Sequence, residues 1–178
     1  SCSISPLTNG QAYTFSVTAT NSSGTSAAAT SGSITPAGNP EAPTSVNAVS
    51  GNASVTGSFV APTITGGPAI TSYTVQAYDS NGNAVDGSSC TVTTSATSGS
   101  CEVTGLSNGS EYTFKVIANS SANGSSITSS ASAPTASIIP ATVPDAPSAI
   151  EVTAGTGKIS VAWAEPASNG SPIISYTV

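Results

Sequence analysis

Charge is what this chain lacks most. Of its 178 residues only two are cationic, Lys115 and Lys158, and there is no histidine. Nucleic-acid binding needs cations to displace counterions from phosphate, so that class is excluded, and a polybasic membrane contact falls with it. Without histidine, the usual acid–base and nucleophile-activating devices of hydrolases cannot be assembled. No apolar run approaches the roughly 20 residues of a spanning helix, and no membrane insertion is expected. No stretch carries a helical apolar period either. What remains is a net charge of -6 and a hydrophobic share of 37%, enough for small cores. Solubility rests on Ser, Thr, Asn and Gly. Thr and Val favour pleated surfaces, while Gly, Asn, Ser and Pro punctuate them.

The chain repeats itself at about 100 residues. LTNGQAYTFSVTATN at 7–21 is answered by LSNGSEYTFKVIANS at 106–120. Residues 42–75 open with APTSV and close on ITSYTV, and 146–178 open with APSAI and close on IISYTV. Such a period means an array of small modules. The register predicts the C-terminal part of a first module at 1–38, a complete module at 39–140, and the N-terminal part of a third at 141–178. PAGNPEAP (36–43) and PATVPDAP (140–147) join them as short, semi-rigid linkers, because proline fixes φ and extends the chain.

Within the complete module, apolar residues alternate with polar ones. Val46 and Ala48 begin a first strand; Val55, Gly57 and Phe59 point inward from a second, with Ile159, Val161 and Trp163 in the same slots of the third module. Pro62 and Pro166 end those strands. Ile70, Tyr73, Val75 and Ala77 follow, then an Asn-Gly turn in DSNGN (79–83). Short strands are expected at Cys90–Thr94 and Cys101–Thr104. Tyr112, Phe114, Val116 and Ala118 point inward from the next, leaving Thr113, Lys115 and Ile117 outward; a last Ser/Thr-rich strand runs from about Ser125 to Ser137. Seven short strands with no helix predict an all-β, two-layer, immunoglobulin-like sandwich, with Phe59 and Trp163 as central core residues.

Cys90 and Cys101 flank a strand–turn–strand phrase, so a hairpin would bring them opposite each other. A disulfide, and hence an oxidising compartment, is the expected reading. Two buried thiols are the alternative; a metal site has neither His nor a CxxC in support. Cys2 stands in the Cys101 position of the first module, and its partner is expected before residue 1.

Candidate chemistry is sparse. Glu41, Asp79, Asp86, Glu102, Glu111, Asp145, Glu151 and Glu165 are scattered over linkers, turns and strands, so no catalytic group is expected. Asp79, Asn81, Asn83 and Asp86 cluster, and the first three have the 1, 3, 5 spacing of a calcium loop, but Cys90 occupies the position where the closing carboxylate belongs. A hairpin turn explains the same letters, and no metal or cofactor is expected. Tyr78 is the one candidate platform for a sugar ring.

The phrases LTNGQAY and LSNGSEY, their sequel Tyr-Thr-Phe-x-Val-x-Ala, the AP-x-x-V opening and Trp163-x-x-Pro166 resemble fibronectin type III domains. The resemblance implies that Tyr13 and Tyr112 are buried anchors of matching tyrosine corners. Phe59 stands where that family usually has Trp. The cysteine pair is similar to those of modules in multi-domain bacterial surface and secreted proteins. The family serves as spacers, adhesion modules, receptor ectodomains and accessory parts of enzymes, so the resemblance leaves the role open. The cysteine pair, the proline linkers and the sparse charge make a spacer, stalk or fibre-shaft segment of a large extracellular or cell-surface protein, not an enzyme, the expected role. The chain's expected partners are neighbouring modules, with other copies in a fibre and surface glycans as further candidates. A carbohydrate- or cell-surface-binding adhesion role, and an accessory region of a secreted polysaccharide-degrading enzyme, are the alternatives.

Overall fold

The computed structural model describes residues 1–178, and its regular elements are all strands. Residues 1–38 hold four two-residue strands, β1 (Ser16–Val17), β2 (Thr20–Asn21), β3 (Gly24–Thr25) and β4 (Ala29–Thr30), paired β1 with β4 and β2 with β3. The middle of the chain holds β5 (Thr44–Ser50), β6 (Ser54–Val60), β7 (Ile70–Tyr78), β8 (Ala84–Val92), β9 (Ser98–Thr104), β10 (Thr113–Ala122) and β11 (Ser125–Thr128). Two antiparallel sheets form from these, ordered β5-β6-β9 and β11-β10-β7-β8. A final ladder joins β12 (Ser148–Gly155) to β13 (Lys158–Ala164).

Alternation along the strands puts one face of each sheet inside. Val55 and Phe59 enter from β6; Tyr73, Val75 and Ala77 from β7; Phe114, Val116 and Ala118 from β10. All eight are at most 2% exposed. The Phe59 and Tyr73 ring centroids lie 4.5 Å apart across the inter-sheet space, their planes tilted by 43°. The Phe59 ring also rests on the β9 backbone: a Cβ on Gly99 would stand 2.7 Å from Phe59 Cζ. That explains a glycine at the start of β9.

Three expectations are corrected. First, Cys90 and Cys101 do not belong to a hairpin. β8 pairs with β7 in one sheet and β9 with β6 in the other, so the Cys90–Cys101 disulfide joins the two layers. Second, Tyr13 and Trp163 are only half-buried. The core cluster lies wholly within the complete module, and the strands that cover Tyr112 and Phe59 have no counterparts in residues 1–38 and 141–178.

Third, β11 ends at Thr128, short of the expected Ser137, and the chain then runs beside β10 in a different way. Ser129, Ser132 and Thr135 return every third residue. Their hydroxyl oxygens accept the backbone N–H groups of Ala118, Val116 and Phe114 at 2.9, 3.0 and 3.1 Å. Their own N–H groups donate to the carbonyls of the same three residues at 2.9, 2.9 and 3.0 Å. Three residues of the outer segment thus match two of β10, with each hydroxyl replacing the carbonyl that a regular ladder would supply. Ser26 and Ser31 do the same for Ala19 and Phe15, at 3.0 and 2.9 Å. Between them stands Ala29, which has no hydroxyl, and there the pairing with Val17 is an ordinary ladder. The alternating polar pattern of strands hides a period of three, so this segment reads as a strand from sequence.

Candidate functional site

Both tyrosine corners are formed. The Tyr13 hydroxyl accepts the Thr8 N–H and the Tyr112 hydroxyl accepts the Ser107 N–H, each at 3.1 Å and each five residues upstream. Tyr112 is 8% exposed and its bond is part-buried, whereas the Tyr13 bond is open to water. The adjoining Asn108 carboxamide accepts the Ala53 N–H at 2.8 Å and donates to Asn52 at 2.8 Å. The β9–β10 turn is thereby fastened to the β5–β6 turn, and this is one end of the sandwich.

Two of the four candidate ligand side chains, those of Asp79 and Asn83, are spent on the fold. Asp79 Oδ1 accepts the N–H groups of Asn81 and Asn83 at 2.9 and 2.8 Å, and Oδ2 accepts the Asn83 amide at 3.3 Å. The backbone N–H of Asn83 is the main cause that holds the Asp79 carboxyl below its ordinary value. These bonds close a hairpin turn, and no group of three or more His, Cys, Asp or Glu side chains gathers in the chain. At Tyr78, Lys115 Nζ lies 4.4 Å from the ring centroid and covers one face. A sugar stacking on that face would have to displace the cation. Trp163 packs 5.2 Å from Tyr176 and lines a cleft of about 280 Å³ with Pro147, Ile150 and Val161. In the complete module the matching rings, Phe59 and Tyr73, are closed inside the core.

Sequence reasoning missed Gln76. Its side-chain amide reaches the carbonyls of Val85 and Ser88 at 2.9 and 3.2 Å, across the register shift between β7 and β8. Nothing in the periodicity marks it.

The linkers lie where modules meet. The incoming segment is bonded to the β6–β7 loop, with Gly38 N–H to the Gly66 carbonyl at 2.9 Å and Glu41 N–H to the Ile64 carbonyl at 3.0 Å. The outgoing segment is bonded beside the β5–β6 turn, with Ala141 N–H to the Gly51 carbonyl at 3.1 Å. These two loops flank β6 at opposite tips. The chain therefore enters the module at one end and leaves at the other, separated by the seven residues of β6, about 23 Å.

Two packed antiparallel sheets with a tyrosine corner, in repeated modules, define an immunoglobulin-like sandwich array. The family model described as "Fibronectin type III domain" matches residues 40–135. The chain belongs to that family. No curated protein matches the sequence. Among solved structures, a set of titin domains is 23% identical with a TM-score of 0.51, over 72% of this chain and 40% of that one. The FN1-FN3 domains of chicken CNTN1 are 20% identical with a TM-score of 0.48, over 75% and 44%. Domains d3-d4 of the rat CD45 extracellular region are 19% identical with a TM-score of 0.47, over 75% and 67%. The chain thus spans less than half the length of the titin and CNTN1 structures. The titin likeness concerns the fold alone. Domains of this kind serve as structural or adhesion modules of multi-domain proteins, generally without catalysis of their own.

Proposed function

We propose that this chain is a spacer segment of a large extracellular multi-domain protein, holding its neighbours apart as part of a stalk or fibre shaft. The observation that carries this reading is the position of the linkers at opposite tips of β6. Modules joined so extend the chain along one axis instead of folding back. The inter-sheet disulfide supports an extracellular place, since such bonds persist in oxidising compartments. The glycan-binding alternative has Tyr78 as its platform, and the cation over that ring favours the spacer. Small-angle scattering tests it. A compact 178-residue chain has a radius of gyration of about 16 Å. The spacer reading expects a clearly larger radius and a skewed distance distribution; a value near the compact one refutes it.

A further inference from the structure

The two joints of this chain are the same joint. At each, the linker is held on both sides by backbone bonds. Gly10 N–H donates to the Pro36 carbonyl at 2.9 Å, and Gly109 N–H to the Pro140 carbonyl at 3.0 Å, fastening the linker to the module before it. Gly38 and Glu41 donate to Gly66 and Ile64, and Thr142 and Asp145 donate to Asn169 and Ala167, fastening it to the module after it. The last two bonds of the second joint are both 3.0 Å, against 2.9 and 3.0 Å at the first. Three bonds thus recur with matching geometry, in linkers PAGNPE and PATVPD that share three of six letters.

A pair of glycines sits at the centre of each joint. Gly10 meets Gly67, and Gly109 meets Gly170, one from the turn before the tyrosine corner and one from the loop after the second strand of the next module. A Cβ on Gly170 would stand 2.5 Å from the Pro140 carbonyl oxygen and 2.6 Å from the Gly109 nitrogen. A Cβ on Gly67 would collide with the Gly10 nitrogen and stand 2.8 Å from the Asn9 carbonyl carbon. Both residues also have left-handed φ, 108° at Gly67 and 96° at Gly170, which side chains disfavour. The preceding positions agree: Gly66 has φ 77°, and Asn169, of a residue type that tolerates this region, has φ 52°. Asn169 adds its own clamp, donating to the Val143 carbonyl at 3.0 Å and to Asp145 Oδ1 at 2.9 Å. At the first joint Asn123 supplies a different one, donating to the Thr35 carbonyl at 3.0 Å.

We infer that the glycine pairs Gly10–Gly67 and Gly109–Gly170 are locks that fix the angle between successive modules. Backbone meets backbone without side chains between, so both modules approach closely enough for the linker to bond to each. Because the bonds recur, the rotation from the first module to the second equals that from the second to the third, and the array advances as a regular screw. Proline linkers alone would give stiffness within the linker but leave the orientation of the modules free. The inference deepens the spacer reading and rests on it for its use, since a fixed angle turns a string of modules into a rod.

Amide hydrogen exchange on the full chain, followed residue by residue by NMR, tests the lock. The N–H groups of Gly38, Glu41, Thr142 and Asp145 should exchange at least about tenfold more slowly than free peptide amides. Gly67→Val should remove that protection at Gly38 and Glu41 while leaving Thr142, Asp145 and the core amides of Val75 and Val116 unchanged. Gly170→Val should do the reverse. Unprotected linker amides in the parent chain beside a protected core overturn the lock, as does joint protection that survives Gly67→Val. Scattering on the same samples separates the two readings: an elongated particle with unprotected linker amides refutes only the lock, whereas a compact particle refutes the spacer.

Discussion

Replacing Ser132 by Ala removes one hydroxyl from the segment beside β10, and the structure says what that should do. Its Oγ accepts the Val116 N–H at 3.0 Å and donates to the Ala133 carbonyl at 2.9 Å. Ser132 is 6% exposed and Val116 is fully buried, so water cannot take the place of the lost acceptor. An unpartnered buried N–H costs about 1–3 kcal/mol. For a domain of this size each 1 kcal/mol lowers Tm by about 4–8 °C, so calorimetry should show a fall of at least about 4 °C. The first module indicates the rescue. There Ala29 occupies the middle position, and five positions separate the flanking serines, Ser26 and Ser31, instead of the six from Ser129 to Thr135. Deleting the exposed Pro134 together with Ser132→Ala shortens the segment by that one residue and lets Val116 bond to a carbonyl, as Val17 does. The double variant should recover most of the lost Tm. A single variant within about 1 °C of the parent, or a double variant less stable than the single, refutes the hydroxyl-for-carbonyl exchange.

Three further outcomes follow from the same contacts. Tyr112→Phe should lower stability by about 0.5–1.5 kcal/mol in urea titration, because the part-buried bond from the Ser107 N–H is lost; Tyr13→Phe should cost less, its corner being open to water. Reducing Cys90–Cys101, which closes a separation of 11 residues, should destabilise the module by roughly 3 kcal/mol on the chain-entropy account; an unchanged melt in reductant contradicts it. Asp79 is held below its ordinary value of 3.8 by the Asn83 backbone N–H, so its contribution is complete above that pH and is lost as pH falls through the lowered folded value. Asp79→Asn should accordingly flatten the acid limb of the stability profile, and an unaltered limb rejects the role.

Much of the fold is written along the chain. Tyr112, Phe114, Val116 and Ala118 alternate, so β10 has one dry face wherever it is placed, and the same spacing at Val55 and Phe59 does this for β6. The repeated NG-x-x-Y phrases fix two corners because a turn and a hydroxyl acceptor five residues away are local matters. The hydroxyl clips were legible in principle as a period of three at Ser129, Ser132 and Thr135, but a Ser-rich segment masks that signal. The joint glycines were equally visible as letters. Their meaning was not, since a glycine in a loop reads as a turn until another backbone is seen against it.

Sequence alone determined the period, the strand faces and the family, because each depends on residues close together in the chain. Tertiary structure alone decided that Cys90 and Cys101 tie one sheet to the other, that Lys115 covers Tyr78, and that Gly10 meets Gly67. Those facts join segments brought together by sheet packing and by the meeting of whole modules. Local propensity carries no record of which backbone will arrive there.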